Sequence, residues 1–208
     1  MNVQEATTRR LPDLKERHLP ENCRETINTI LKETYGYEQF RNLEIYDDLS
    51  KGKEKLCISQ GQLIENVILE AEKAWKSETQ VDNILLTAPT GSGKSLLFQL
   101  PAIYLGKEYN LLTIVVSPLK ALIVDQVESL QELGYARVAY ASSDLSPEQK
   151  MEVYRQVREG EIDLFYLSPE LLLSYDIKHF VGERRIGLVV VDEAHTVTTW
   201  GKEFRVDY

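Results

Sequence analysis

The apolar positions of the chain follow different periods before and after Val81. Before it, apolar residues recur at helical spacing in residues 21–35, a run that Gly36 ends, and again from Gln62 to Lys76. After it, short apolar runs alternate with helical patterns. The runs that predict strands are Ile84–Leu86, Leu112–Val116, Arg137–Tyr140, Leu164–Leu167 and Leu188–Val191. The pattern predicts an α/β fold with a mostly parallel sheet flanked by helices, preceded by a helical extension.

The helix expected after the third of these strands has clear boundary signals. Ser146 is placed to be its N-cap, Pro147 occupies its first position, and Gln149 completes a capping box. Gly160 marks its end. Residues 118–133 predict a second helix between strands. Two such helices between parallel strands place ligand-binding residues at the carboxyl ends of the strands.

Composition narrows the classes of protein only moderately. A content of 43% hydrophobic and 27% charged residues is typical of a soluble globular protein. No apolar run approaches the roughly 20 residues that span a bilayer, and the first residues lack a signal-peptide core. We therefore expect a cytoplasmic protein without a membrane partner. Cys23 and Cys57 stand apart from each other and from histidine clusters, so we expect no zinc site. The net charge of −9 excludes a uniformly basic surface but not a local basic groove.

A glycine-rich stretch, TAPTGSGKS at 87–95, lies between a predicted strand and a helix expected from about Lys94. Two glycines in such a loop allow backbone N–H groups to turn toward an anion. Lys94 is placed for the β- and γ-phosphates of a nucleotide, and the Ser95 hydroxyl for Mg2+. The alternative is a plain strand–helix turn, and Ala88 stands where the usual pattern has glycine. The predicted nucleotide-binding residues of the loop are Thr90, Gly91, Ser92, Gly93, Lys94 and Ser95.

A second acidic site follows the last predicted strand. In IGLVVVDEAH the apolar run leads directly into Asp192 and Glu193. The end of a buried parallel strand would bring both carboxylates to the edge of the sheet that carries the phosphate loop. Asp192 is the expected second ligand of Mg2+, and Glu193 the expected general base toward water. The alternative is a pair of carboxylates that only caps a helix.

At this point the sequence resembles a known family. The DEAH tetrad, 192–195, and the following TVTTWGKEFRVDY resemble superfamily 2 helicases, and most closely the RecQ group. Residues 115–127 resemble motif Ia of that group, and residues 163–172 resemble motif Ib. The resemblance implies the first RecA-like, ATP-binding domain of a P-loop NTPase. It also implies ATP and Mg2+ as cofactors. The catalytic residues implied are Lys94, Asp192, Glu193 and His195.

The resemblance also implies contacts to nucleic acid. Ser117 and Lys120 of motif Ia are placed to contact phosphates, although Lys120 alone is more often a solvated charge at a helix start. In the loop after the DEAH tetrad, Trp200 and Phe204 offer faces for stacking bases, and Arg205 can meet a phosphate. The alternative for these aromatic side chains is packing on the domain itself.

The adenine-reading residue is harder to place. GYEQFR at 36–41 resembles the start of the RecQ adenine motif, in which a glutamine follows three residues after the arginine, but Glu44 stands there. An amide both donates to and accepts from the adenine edge, whereas a carboxylate cannot donate. We therefore expect Gln62 to supply the amide after an insertion, with Arg41 and Tyr37 as further candidates.

The resulting interpretation is the ATP-binding part of an ATP-dependent helicase, with single-stranded or forked DNA as the favoured substrate and 3′-to-5′ movement by analogy. We expect an arm and helical extension at 1–60 and a RecA-like domain at 61–208 that stops before motif III, without the second RecA-like domain. An arginine finger supplied elsewhere contributes roughly 10³–10⁵ in turnover, so the chain alone is expected to hydrolyse ATP poorly. The alternatives are an RNA helicase, a non-catalytic ATP-dependent switch and a phosphoryl-transfer kinase.

Overall fold

A computed structural model of the chain describes residues 18–46, 55–76, 81, 83–86 and 91–194. The chain divides into two compact units, Met1–Tyr104 and Leu105–Tyr208, which we call unit 1 and unit 2. Each unit is described by itself below.

Unit 1 begins with helix α1, Glu21–Tyr35. The helix ends at Gly36, which has a left-handed φ of 69° and donates its N–H to the carbonyl of Lys32. Its buried side chains, Ile27, Ile30 and Leu31, recur at helical spacing and lie on one face. The first predicted helix and its end signal are therefore confirmed.

A two-stranded antiparallel hairpin follows, which the sequence analysis did not predict. Strand β1, Asn42–Tyr46, pairs with strand β2, Lys55–Ser59, so that Asn42 lies opposite Ser59. Residues 47–54, between the two strands, lie outside the described residues. Helix α2, Gln60–Trp75, continues directly from β2, and the Ser59 hydroxyl caps it by accepting the N–H of Gly61. The helix predicted from Gln62 therefore begins two residues earlier.

The strand predicted at Ile84–Leu86 is wrong. Residues 83–86 have no regular structure, and 82% of Leu85 is exposed. A short apolar run forms a strand only where its backbone groups meet those of a neighbour. Residues 83–86 pair with no strand among the described residues. Helix α3, Leu96–Tyr109, begins after the glycine-rich loop and crosses the boundary between the units.

Unit 2 contains the four-stranded sheet, whose spatial order is β4-β5-β3-β6 with every pair parallel. This agrees with the predicted fold class. The strands are β3, Leu112–Val116; β4, Val138–Ala141; β5, Leu164–Leu167; and β6, Ile186–Val191. The helices between them are α4, Lys120–Glu132; α5, Pro147–Glu159; α6, Pro169–Ser174; and α7, Ile177–Val181.

Strand β6, expected to be a buried strand, is half-buried or exposed at every position. The side chains of β3 and β5 are instead buried on both faces of the sheet. On one face, Ile114 and Phe165 pack with Tyr154 of α5 and Phe180 of α7 in a continuous apolar core. Residues that alternate with them along the strands point to the opposite face. Among these, Val115 is also fully buried. Burial on both faces explains why these strands are continuous apolar runs. The predicted capping box of α5 is confirmed, with Ser146 and Gln149 bonded reciprocally.

A buried ionic network lies where the strands of unit 2 begin, at what we call the amino edge of the sheet. Asp163, which precedes β5, accepts hydrogen bonds from Arg137 Nε at 2.6 Å and from Arg184 Nη2 at 2.8 Å. The hydroxyl of Tyr135 lies 3.3 Å from the same carboxylate. Burial and the charge of Asp163 raise the pKa of Tyr135 far above its ordinary value, so this phenol stays protonated and donates. Gly106 leaves room for the cluster, because a Cβ there would lie 2.4 Å from the Asp163 carboxyl carbon.

Candidate nucleotide and nucleic-acid sites

The glycine-rich loop of unit 1 has the backbone that anion binding requires. Gly91 and Gly93 both have a φ of 79°, in the left-handed region that side chains disfavour. The carbonyl of Gly93 accepts the N–H of Leu96, so the loop leads directly into the first turn of α3. The N-terminal turn of a helix presents N–H groups and a partial positive charge to anions. Thr90, the first predicted contact of the loop, lies outside the described residues.

Gln60 joins this loop to the hairpin, and the sequence analysis missed it. Its side chain is buried, and its Nε2 donates to the carbonyl of Ser92 at 3.1 Å. Its Oε1 accepts the backbone N–H of Arg41, also at 3.1 Å. A Cβ on Gly93 would lie 2.7 Å from Gln60 Nε2, so a larger residue there would displace this amide in addition to the strain at its φ. The side chain therefore links the start of the adenine-like motif to the phosphate loop.

The other predicted adenine contacts of unit 1 lie nearby. The Arg41 guanidinium lies over the ring of Tyr37 at 5.9 Å, and the Arg41 backbone bonds to Gln60 in both directions. Gln62 is one half-turn further along α2, and its carbonyl accepts from the side chain of Asn66. The hairpin lies between Arg41 and Gln60 in the sequence, so the glutamine is further from the arginine than in the RecQ adenine motif. The sequence signal for the hairpin is a pair of short segments, NLEIY and KLCIS, on either side of a polar loop. Apolar and polar residues alternate in both segments.

The described residues of the loop fit a polyphosphate. The Ser92 hydroxyl oxygen is buried and has no hydrogen-bond partner among the described residues. A buried hydroxyl without a partner is costly, and a phosphate oxygen would satisfy it. Lys94 and Ser95 are half-buried at the start of α3. The ammonium of Lys94 supplies the positive charge, and the Ser95 hydroxyl is the kind of oxygen ligand that Mg2+ accepts.

In unit 2, strand β6 ends in the predicted carboxylates. The N–H of Asp192 donates to the carbonyl of Val116 at 2.9 Å, which extends the β3–β6 pairing to this residue. Asp192 Oδ1 in turn accepts the N–H of Glu193 at 2.9 Å. Glu193 has a φ of 50°, an unfavourable region for a side chain with a long aliphatic stem. Strain of this kind is typical of functional positions, where the surrounding structure maintains it.

All four strands of unit 2 end at the same edge, which we call the carboxyl edge. The residues that follow them, in spatial order, are Ser142, Ser168, Ser117 and Asp192. The hydroxyls of Ser117 and Ser168 are buried and have no hydrogen-bond partner among the described residues. Ser117 was predicted as a phosphate contact. Ser168 was missed, although it lies within the stretch that resembles motif Ib. The topology thus brings Ser117 next to Asp192, one strand apart.

Lys120, the second predicted phosphate contact of motif Ia, begins α4 at this edge. Its ammonium bonds to Ser143 and Asp144 in the segment after β4.

Four further predicted residues lie outside the described part of the chain: His195, Trp200, Phe204 and Arg205. Among the described residues, no group of three or more His, Cys, Asp or Glu could hold a metal, and no helix has the length and apolarity to cross a membrane.

Comparison with known proteins identifies the family. The profile of the DEAD/DEAH box helicase family matches residues 69–208. The chain therefore belongs to the DEAD/DEAH box helicase family, as its motifs predicted.

The curated relatives are RecQ helicases. The ATP-dependent DNA helicase RecQ of Haemophilus influenzae is 30% identical over 88% of this chain and 24% of its own length. That of Synechocystis is 33% identical over 89% of the chain and 32% of its own length. The ATP-dependent DNA helicase Q-like 5 of Arabidopsis thaliana is 34% identical over 88% and 17%. The chain thus spans a third or less of the length of each of these relatives.

The fold has a solved counterpart as well. The DUF1998 helicase MrfA, crystallised with DNA and AMPPNP, matches 86% of this chain and 22% of its own, with a TM-score of 0.51 and 22% identity. At this identity the likeness concerns the fold alone, and it agrees with a RecA-like arrangement of the chain.

Proposed function

We propose that the chain is the nucleotide-binding part of an ATP-dependent DNA helicase of the RecQ type. The observation that carries this proposal is the phosphate loop, with two left-handed glycines and a buried hydroxyl without a partner among the described residues. Membership of the helicase family and the names of the RecQ relatives support DNA as the substrate. Movement in the 3′-to-5′ direction and a location inside the cell are part of the same proposal.

The proposed roles follow from the chemistry of each side chain. Lys94 binds the β- and γ-phosphates and neutralises charge that develops during phosphoryl transfer. Ser95 and Asp192 provide oxygen ligands for Mg2+, which supplies further charge neutralisation when bound. Glu193 accepts a proton from the attacking water as general base.

For the base, we propose Gln60 in place of Gln62. A side-chain amide has two N–H donors and two acceptor lone pairs. The bonds to Ser92 and Arg41 use one of each. One donor and one lone pair remain, and these complement the N7 acceptor and the N6 donor of adenine. Because the same amide contacts the phosphate loop, Gln60 would position the loop and read the base together.

For nucleic acid, we propose that the carboxyl edge of unit 2 contacts the strand backbone. Ser117 and Lys120 are the contacts to phosphate, and Ser168 is a third. His195, the last residue of the DEAH tetrad, belongs to the catalytic set. The segment after the tetrad contributes Trp200 and Phe204 to base stacking, and Arg205 to phosphate. Buried hydroxyls without a partner among the described residues support the first part of this assignment.

Turnover of Mg-ATP with Glu193→Gln as the matched variant tests the hydrolytic function. We expect slow single-turnover hydrolysis by the chain, with at most a small stimulation that is larger for single-stranded DNA than for single-stranded RNA. Removal of a general base typically costs about 10²–10⁴ in rate, so Glu193→Gln should hydrolyse that much more slowly while it binds nucleotide normally. Equal rates for the two proteins would exclude hydrolysis at this site. Stimulation by RNA alone would favour the RNA helicase.

Paired isosteric variants test the base-reading residue. Gln60→Glu keeps the acceptor for the Arg41 N–H but replaces the donor toward Ser92 with a second acceptor. A lost hydrogen bond with an unsatisfied partner costs about 1–3 kcal/mol, so ATP affinity should fall roughly 5- to 150-fold and the preference for ATP over GTP should disappear. Gln62→Glu is the control and should retain both properties. The reverse result would assign adenine recognition to Gln62, and a cooperative thermal transition confirms that each variant is folded.

A further inference from the structure

Lys120 is already occupied by an anionic partner within unit 2. Its Nζ lies 2.9 Å from Asp144 Oδ1 and 2.5 Å from the Ser143 hydroxyl oxygen. Lys120 is the first residue of α4 and comes directly after the Ser-Pro-Leu segment that follows β3. Asp144 lies in the segment between β4 and α5. The contact therefore connects two segments that both leave the carboxyl edge of the sheet.

The partners of Lys120 imitate a phosphate. A carboxylate oxygen and a hydroxyl oxygen contact the ammonium much as the oxygens of a phosphodiester would. The side chains of Lys120 and Asp144 are 40% and 68% exposed, so a strand can reach both from solvent. The hydrogen bond from Lys120 keeps the pKa of Asp144 below its ordinary value, and Asp144 stays anionic at neutral pH.

A second cation lies on the same segment. Lys150 in the first half of α5 donates to the backbone carbonyl of Ser143 at 3.4 Å. Asp144 is thus the negative charge between two ammonium groups. Neutral Asp144 would leave a locally cationic surface beside the buried hydroxyls of Ser117 and Ser168. The net charge of the whole chain, −9, would not reveal such a patch.

We propose that Asp144 is an internal competitor of nucleic acid for Lys120. A phosphate of the strand must displace the Asp144 carboxylate before it can bind Lys120. This displacement lowers the affinity of Lys120 for the phosphate. The inference rests on the proposed function, in which Lys120 contacts the strand. Asp144 is a positioning residue that sets affinity without contact to the nucleotide. A motor that must release its track in every cycle gains from contacts weakened in this way.

The experiment measures the affinity of the chain for a short fluorescein-labelled oligothymidylate by anisotropy at fixed ionic strength. The variants are Asp144→Asn, Lys120→Gln and the double variant. Asp125→Asn is the matched control, because Asp125 is an exposed aspartate on α4 with no hydrogen bond or ion pair among the described residues. Asp144→Asn should tighten binding about two- to fivefold, which corresponds to the usual strength of an exposed ion pair.

The double-mutant cycle separates the exchange from a general effect of charge. The proposal requires that Asp125→Asn changes affinity little and that Asp144→Asn has no effect once Lys120 is replaced. Equal gains from Asp144→Asn and Asp125→Asn, or a gain that persists without Lys120, would overturn it while leaving the proposed function intact. A chain that binds no oligonucleotide at all would overturn the nucleic-acid part of the proposed function, and this inference with it. Unchanged melting temperatures exclude a structural origin of any difference.

Discussion

The two edges of the sheet in unit 2 differ in how they treat buried polar groups. At the amino edge, the Asp163 carboxylate is bonded by Arg137, Arg184 and Tyr135. At the carboxyl edge, the hydroxyls of Ser117 and Ser168 are equally buried but have no partner among the described residues. The same parallel strands begin at one edge and end at the other.

The difference separates stability from function along a single sheet. Satisfied buried polar groups stabilise a fold, whereas unsatisfied ones cost free energy that a ligand can recover. The carboxyl edge also holds Glu193 in a left-handed conformation. Unsatisfied polar groups and a strained backbone both cost free energy, and they persist where a site is organised in advance for its ligand. We therefore assign structural work to the amino edge and ligand binding to the carboxyl edge. The Nε of Arg184 and the hydroxyl of Thr113 near the start of β3, both buried and without a partner among the described residues, show that the separation is incomplete.

The largest expected effect comes from Asp163→Asn at the amino edge. The change removes the charge that pairs two arginines, one of which, Arg184, is itself buried with a side-chain exposure of 5%. Loss of one partner of a buried ion pair typically costs about 3–5 kcal/mol. The free energy of unfolding, measured by urea denaturation, should fall by that amount. Asp144→Asn, the same chemical change at the exposed carboxyl edge, removes only an exposed ion pair and should change it far less, and similar losses for the two variants would contradict the comparison.

A smaller effect of opposite sign is expected from Ser168→Ala at the carboxyl edge. Removal of a buried hydroxyl without a described partner should raise the free energy of unfolding by about 1 kcal/mol and weaken binding to single-stranded DNA. Ser146→Ala is the control, because it removes the N-cap of α5 and should lower stability by about 0.5–2 kcal/mol. If Ser168→Ala is destabilising by as much as the control, the hydroxyl has a structural partner and the edge is not organised for a ligand.

Local signals in the sequence were sufficient where the structure depends on neighbours along the chain. Gly36 ends α1 and Ser146 caps α5 as predicted, because caps are formed within one turn of the helix. The apolar runs of β3 and β5 gave the correct strands, since a strand buried on both faces has no polar alternation to obscure it. The glycine-rich loop and the DEAH tetrad also stand out in the sequence, and the phosphate chemistry inferred from their residue types and spacing stays a prediction.

Sequence patterns failed to predict the structure where it depends on contacts between residues that are distant along the chain. The run Ile84–Leu86 has the composition of a strand, but among the described residues it has no neighbour to pair with. Gln60 and Arg41 are separated by a hairpin, and only the register of β1 and β2 brings them together. The partners of Lys120 were likewise hidden, because Asp144 is 24 residues away and reaches it only at the carboxyl edge.

The sequence by itself therefore determined the fold class, the capped ends of α1 and α5, and the motifs from which the roles of the phosphate loop and acidic pair are proposed, all of which are encoded in short-range pattern. The tertiary structure decided which glutamine contacts the phosphate loop, which hydroxyls lie buried at the carboxyl edge, and which anion occupies Lys120. The physical reason is that hydrogen bonds and ion pairs act over a few ångströms of space. A distance of that size has no fixed relation to separation along the chain.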